Sequence, residues 1–394
     1  MPRVDVVIVG AGLGGLALAH HLAPHRHVLV VDQGTALGAE ASSQNASMIR
    51  TLAEDPVERV LAVRSARWLQ DPGEDWAEAP PARTTGAIVG LALDPHHLDD
   101  AVAHLRARGI PVDHPPAVPR WASADAWETA WWLPSAQIAD PAIMMRGFAA
   151  TLARHEGELR LRTTVVGFLG TDAITGVQTE QGPIEADAVV LAAGAFGQRL
   201  GALAGVHRPL LPLRRSIWRT APHPLAEAHA PWVWLDDVGL YVRPDGDRFL
   251  VCGCDEQPED VPHAPGTTAD ADPQMEQQTR KRLAHAFPAL AEVPFETGWS
   301  GLRTFAPDRR PLLGPDPERP GLWWLAGLGG AGVTCAAAAG EAVAGWLLDR
   351  PVDWLPRRPV DPGRRPLRRF PIRLQGEWAR PTLLDAREPL GRID

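Results

Sequence analysis

Three glycines near the start of the chain, Gly10, Gly12 and Gly15, limit its possible folds more than any other feature. An apolar run at 4–9 enters them, an apolar helical run leaves them through about residue 25, and a second strand at 27–31 ends on Asp32. Strand, G-x-G-x-x-G turn, helix, strand and acidic residue together specify a dinucleotide site. Gly10 permits the tight turn, Gly12 lets a pyrophosphate approach the backbone, and Gly15 lets helix and strand pack closely. The helix amides behind Leu13 and Gly14 face the negative charge. Asp32, followed by Gln33, is then positioned for the ribose hydroxyls. These residues leave open whether the dinucleotide is FAD or a nicotinamide.

At 394 residues the chain is long enough for two domains. A net charge of −9 repels polyanions and excludes nucleic acid as the expected partner. Lys281 is the only lysine and Tyr241 the only tyrosine, so any role needing either has one candidate. The three cysteines, Cys252, Cys254 and Cys335, show neither metal spacing nor a paired framework. No metal is expected, and a reducing cytoplasm is the expected location. The N-terminus enters the first strand directly, without a basic leader or a long apolar run, so neither export nor a membrane span is expected.

Asp-Pro pairs at 55–56, 94–95, 140–141 and 272–273 mark helix starts, because Asp caps free amides while Pro occupies the first helical position. Helical spacing follows at 56–69 and 143–152, with a Trp- and Pro-rich irregular connection at 121–134 between them. Strands are expected at 161–168 and 176–179, and at 188–194 as a central parallel strand ending on small residues. Longer strands at 209–219 and 241–253 belong to a different sheet, and 264–294 is mostly helix. A strand at 322–326, a glycine loop at 327–332 and an Ala-rich helix at 333–348 return the chain to the dinucleotide. From residue 351 the chain carries ten arginines against six carboxylates, read as a solvated, partly extended tail lying on the acidic body.

Four segments taken together resemble the FAD-dependent D-amino-acid oxidase and glycine oxidase superfamily. Besides the first turn they are 41–47 (ASSQNAS), 190–196 (VLAAGAF) and 299–305 (WSGLRTF) with Pro307-Asp308, closed by the loop 326–332. Within the superfamily the chain is most similar to the D-arginine dehydrogenases, through Leu213 to Ser216, Leu240 to Asp245 and Gly301 to Phe305. The resemblance implies an α/β fold, a Rossmann-type FAD-binding domain (1–45, 140–208, 299–350) with an inserted α+β substrate domain (46–139, 209–298). It implies non-covalent FAD held by Gly10, Gly12, Leu13, Gly14, Gly15, Asp32, Gln33, Ser42, Ser43, Asn45, Ala46, Val165, Gly194, Gly329, Gly330, Gly332, Val333 and Thr334. It also implies oxidation of an amino acid at Cα–N, by hydride transfer to flavin N5.

Arg303 matches the carboxylate-binding arginine of the family, and Arg215 and Tyr241 match its helpers. A guanidinium suits the role because it grips both oxygens and cannot be titrated away. Met48, Arg50 and Gly330 fall where the family surrounds the substrate. Arg50 and Gly86 stand where D-arginine dehydrogenases hold a cationic side chain, so a neutral or apolar D-amino acid is expected instead. The helix from Val333 points free amides toward the flavin. Lys281 lies in a solvated helical stretch, away from the position where sarcosine oxidases place an oxygen-activating lysine. That favours a quinone-like or dye acceptor over oxygen.

Overall fold

The computed structural model describes residues 3–261 and 270–368. Its first sheet runs Leu312–Pro315, Leu322–Ala326, Gly182–Leu191, Arg3–Val9, Val28–Val31, Glu158–Arg160. Arg3–Val9 sits in the middle, parallel to both Val28–Val31 and Gly182–Leu191. A strand covered on both faces needs no polar alternation, and Val6, Val7, Ile8, Val28, Leu29 and Val30 are all buried. One face is covered by the helices Leu13–Leu22, Pro141–Arg154 and Gly332–Leu347. Alanines and Gly340 let the last of these approach the first, and a Cβ on Gly340 would stand 2.6 Å from the Ala17 backbone.

The second sheet runs Gln257–Pro258, Leu211–Thr220, Arg248–Cys252, Leu240–Asp245, Trp232–Leu235, Ala87–Leu91, Thr129–Leu133. Phe295–Phe305 pairs antiparallel with Leu211–Thr220, setting Leu213 opposite Arg303 and Arg215 opposite Gly301. Partners two residues apart on adjacent strands share a face, so this register directs Arg215 and Arg303 to the same side.

Several local expectations need correction. Asp55, Asp140 and Asp272 cap helices with Pro behind them, but Asp94 does not. The amides of Ala92, Leu93 and Asp94 are clasped by the Asp237 carboxylate, and the next helix starts only at Asp99. Residues 241–253 form two strands of a hairpin, because Asp245 to Arg248 turns the chain back around Gly246 at φ 69°. The stretch 121–134 contains a regular strand, Thr129–Leu133, paired with Ala87–Leu91. Residues 161–164 are not strand; pairing resumes at Val165–Leu169. Helix Pro56–Gln70 packs into the first core, beside Gly332–Leu347, although 46–139 was expected to serve the second domain. The start of the tail is not solvated: Leu355 and Val360 join the first core and Arg364 makes a buried double contact with Asp308. The tail expectation for 369–394 lies outside the described residues.

His20 and His21 close the outer end of the first core beside Trp68, Trp76 and Phe148. Burial, then the neighbouring His21, lowers His20 from 6.5 to about 3. Burial likewise lowers His21 to about 4. Both are neutral in the fold and protonate near their ordinary value when unfolded. Their stabilisation is therefore complete above pH 6.5 and lost as pH falls toward about 4 and then about 3. The slope is roughly 1.4 kcal/mol per pH unit for each histidine. Melting temperatures between pH 7 and pH 5 should fall steeply, and less steeply for His20→Phe; equal slopes would remove His20 from the account.

Candidate active site

Two adjoining cavities, of about 350 Å³ and about 520 Å³, meet where Asn45, Arg303, Leu328, Gly330 and Val333 line both. The first lies along the carboxyl ends of the parallel strands, where a doubly wound sheet binds its ligand. Gly10 has φ 119°, and a Cβ there would stand 2.5 Å from the Ala192 carbonyl oxygen. Gly12 faces Ser42, whose Oγ accepts from the Leu13 amide at 3.0 Å. The Asp32 carboxylate accepts from the amides of Ala11 and Gly34, each at 2.6 Å, and holds the turn in shape while lining the cavity.

Gly14, Gln33, Val165 and Gly194 also line the first cavity, and Gly329, Gly332 and Val333 close its other end. Helix Leu13–Leu22 begins here with only its Leu13 amide taken, by the Ser42 hydroxyl, and Gly332–Leu347 begins here with no side-chain cap. Such N-termini favour anionic ligand groups. These features fit a flavin dinucleotide: an open glycine turn and a helix N-terminus at one end, a glycine loop and an uncapped helix at the other.

Some expected cofactor contacts lie elsewhere. Gly15 packs against Gly10 and Ala192 rather than lining the cavity. The Ser43 hydroxyl donates to the Gly38 carbonyl at 2.6 Å, which turns it away. Ala46 lines the second cavity, and its carbonyl accepts from Arg243. Thr334 is also at the second cavity, donating to the Met48 carbonyl and accepting from the Arg50 amide.

The second cavity gathers Arg303, Arg215, Tyr241, Met48, Arg50 and Gly330. Arg303 is 5% exposed; its Nη2 donates to the Gln44 carbonyl while the buried Nη1 has no partner among the described residues. A Cβ on Gly301 would stand 2.8 Å from that nitrogen, so the missing side chain leaves it room. Burial, and then the neighbouring Arg215, pulls the Arg303 guanidinium below its ordinary range. A carboxylate at Nη1 would relieve both costs.

Arg215 donates to Glu256 at 2.8 Å, and its Nη1 would be 3.2 Å from a Cβ on Gly330. Burial works against its charge, but Cys254, Cys252 and Glu256 outweigh it and hold the pKa above the ordinary value. Tyr241 stacks on Trp234 with centroids 4.9 Å apart, and burial keeps its hydroxyl protonated.

Arg50 points into the cavity, bonded to Glu58 at 2.7 Å and Asp236 at 3.0 Å, with its guanidinium over the Trp234 ring. Gly86 lies outside both cavities, against Trp132. The sequence reading missed Trp234, Asp236, Glu58, Glu256 and Arg309, which complete the wall. Arg309, with φ 61°, reaches Glu256 from a turn just beyond Phe305. No motif announces these residues; they are joined only by the fold. Among the described residues no group of side chains could hold a metal ion, and no helix is long and apolar enough to cross a membrane.

Among the described residues no cysteine, histidine or tyrosine lines the first cavity. Acid precipitation should therefore release all the flavin into the supernatant; colour retained by the washed pellet would reveal an attachment residue.

The family model for FAD dependent oxidoreductases matches residues 5–346. A glycine oxidase of Geobacillus kaustophilus (strain HTA426) is 29% identical over 369 residues, covering 87% of this chain and 92% of its own. The L-proline dehydrogenase structure from P. horikoshii superposes with a TM-score of 0.80 at 22% identity, covering 92% of this chain and 98% of that one. The glycine oxidase structure from Geobacillus kaustophilus gives 0.76 at 24%, covering 93% and 100%. The chain belongs to the D-amino-acid oxidase-type family of FAD-dependent oxidoreductases and is an FAD-dependent amino-acid oxidoreductase.

Proposed function

We propose that the protein oxidises the Cα–N bond of a D-amino acid with a neutral or apolar side chain, giving the imino acid. The observation that carries this reading is the buried, unpartnered Nη1 of Arg303 at the junction of the two cavities. When bound, FAD supplies the two-electron acceptor for the oxidation. Arg303 and Arg215 grip the substrate carboxylate, and the Tyr241 hydroxyl donates from the same wall. Holding one end of a small zwitterion at two guanidiniums fixes the direction of Cα, and such positioning is the part of the work the protein must do.

The state of the carboxylates in the wall supports an uncharged side chain. Glu58 and Asp236 are occupied by Arg50, and Glu256 by Arg215 and Arg309. A cationic side chain would have to displace one of them. A second cavity of about 520 Å³ also gives room beyond what glycine needs, although the glycine oxidase relative favours glycine as the second reading.

Among the described residues no lysine lines either cavity, and Lys281 is exposed on the helix Pro273–Ala286. That supports a dehydrogenase passing electrons to a quinone-like acceptor. The test is kcat/KM with a dye acceptor across D-amino acids, followed by mixing of the substrate-reduced enzyme with air-saturated buffer. Neutral D-amino acids should outperform D-arginine and D-lysine, and reoxidation should be slower than dye turnover. A preference for D-arginine would overturn the side-chain assignment; reoxidation as fast as turnover, with stoichiometric peroxide, would make the protein an oxidase.

A further inference from the structure

Arg50 follows the strand Met48–Ile49 and its amide donates to the Thr334 hydroxyl at 3.3 Å, so its side chain enters the second cavity from an anchored backbone. The guanidinium donates to Glu58, on the helix Pro56–Gln70, at 2.7 Å and to Asp236 at 3.0 Å. The same group lies over the Trp234 ring, 4.7 Å from its centre. Two carboxylates and an aromatic face, brought together from separate segments, make a complete receptor for a guanidinium. Trp234 also stacks on Tyr241, with centroids 4.9 Å apart, so this receptor adjoins the wall that carries Arg215 and Arg303.

We propose that Arg50 is a specificity-determining residue: it fills a guanidinium subsite formed by Glu58, Asp236 and Trp234, and so excludes substrates with cationic side chains. The inference rests on the proposed amino-acid site at Arg303, and it names the residue that sets the side-chain preference of that site. Removing the Arg50 side chain would vacate the receptor and open it to the side chain of arginine.

A substrate cation competes at a disadvantage, because Arg50 is tethered beside its carboxylates while a free ligand must be brought there. Displacement would also leave the Arg50 charge loose in a cavity that already holds Arg215 and Arg303. Burial works against the Arg50 charge, but Glu58 and Asp236 outweigh it and hold the guanidinium above its ordinary range. Two other carboxylates of the cavity are engaged elsewhere. Glu256 pairs with Arg215 and Arg309, and Asp237 accepts from the amides of Ala92, Leu93 and Asp94. Loss of Arg50 would strip Glu58 of this partner and leave Asp236 with the His97 ring at 3.4 Å, so the vacated receptor would draw a cation from solution.

The test compares kcat/KM for arginine and leucine, both enantiomers of each, in the FAD-loaded wild type, Arg50→Lys and Arg50→Ala. The ratio of arginine to leucine should rise by about 10- to 100-fold in Arg50→Ala, the change that one charge-assisted hydrogen bond carries. It should rise less in Arg50→Lys, whose ammonium keeps a charge at the site but not the two-pronged grip. That variant also keeps the ratio measurable should the alanine variant fail to fold. Adding Asp236→Asn to Arg50→Ala should cancel most of the gain. Methylguanidinium at millimolar concentration should raise the melting temperature of Arg50→Ala, leave that of the wild type unchanged, and suppress the variant's arginine turnover more than its leucine turnover. Using both enantiomers separates the two readings: turnover of L-amino acids alone would sink the D-amino-acid assignment, while the ratio still decides the role of Arg50. A ratio unchanged in the folded variants, an Arg50→Ala protein that gains no stability from methylguanidinium, or a wild type that already prefers arginine would overturn the proposal.

Discussion

Replacing Arg303 by methionine should leave FAD bound and lower kcat/KM for amino acids by about 10- to 100-fold, from loss of a charge-assisted hydrogen bond worth about 1.5–3 kcal/mol. The cofactor is spared because the glycine turn lies at the other end of the first cavity. Amines without a carboxylate should lose far less. The stability outcome separates a functional from a structural arginine. Arg303 is a buried cation beside another cation, with one nitrogen unpartnered, so its removal should not lower the melting temperature of the substrate-free protein. A residue placed for stability would behave in the opposite way. Unchanged kcat/KM at low substrate would remove Arg303 from the site.

Gly10→Val should abolish flavin binding altogether. The position combines φ 119° with a Cβ only 2.5 Å from the Ala192 carbonyl oxygen, which is backbone and cannot swing away. Strain of roughly 1–3 kcal/mol from the dihedral alone adds to that overlap at the crossing of two central strands. Gly12→Ala is the contrast. Its added Cβ would meet only the Ser42 hydroxyl at 3.0 Å, so the fold should survive while FAD binds more weakly. Absorbance of the purified proteins near the flavin bands, with circular dichroism for folding, checks both. Normal flavin content in Gly10→Val would refute the placement of the pyrophosphate at this turn.

The cofactor end was legible in the sequence because its determinants are local. Gly10, Gly12 and Asp32 fall within one strand-helix-strand unit, where spacing along the chain sets spacing in space. Arg303 was legible only through the segment around it, since an isolated arginine carries no such signal. Illegible were residues whose meaning comes from a distant partner. Asp94-Pro95 failed to start a helix because Asp237, at the end of the adjacent strand, clasps the amides of Ala92, Leu93 and Asp94. Glu256 and Arg309 close the substrate wall from separate segments and hold each other by an ion pair. The start of the tail looked solvated by composition, yet Arg364 ties it to Asp308, the residue before Arg309 in the turn. Ser43 and Ala46 lay in a matching motif but on turns whose direction the motif does not encode.

Anaerobic reduction of the bound flavin by matched enantiomers tests the central claim most directly. Each D-amino acid with a neutral side chain should bleach the oxidised flavin band at a saturable rate, while its L-enantiomer, at the same concentration, leaves the band nearly intact. Faster bleaching by the L-enantiomers, or by glycine over every D-amino acid, would contradict the account.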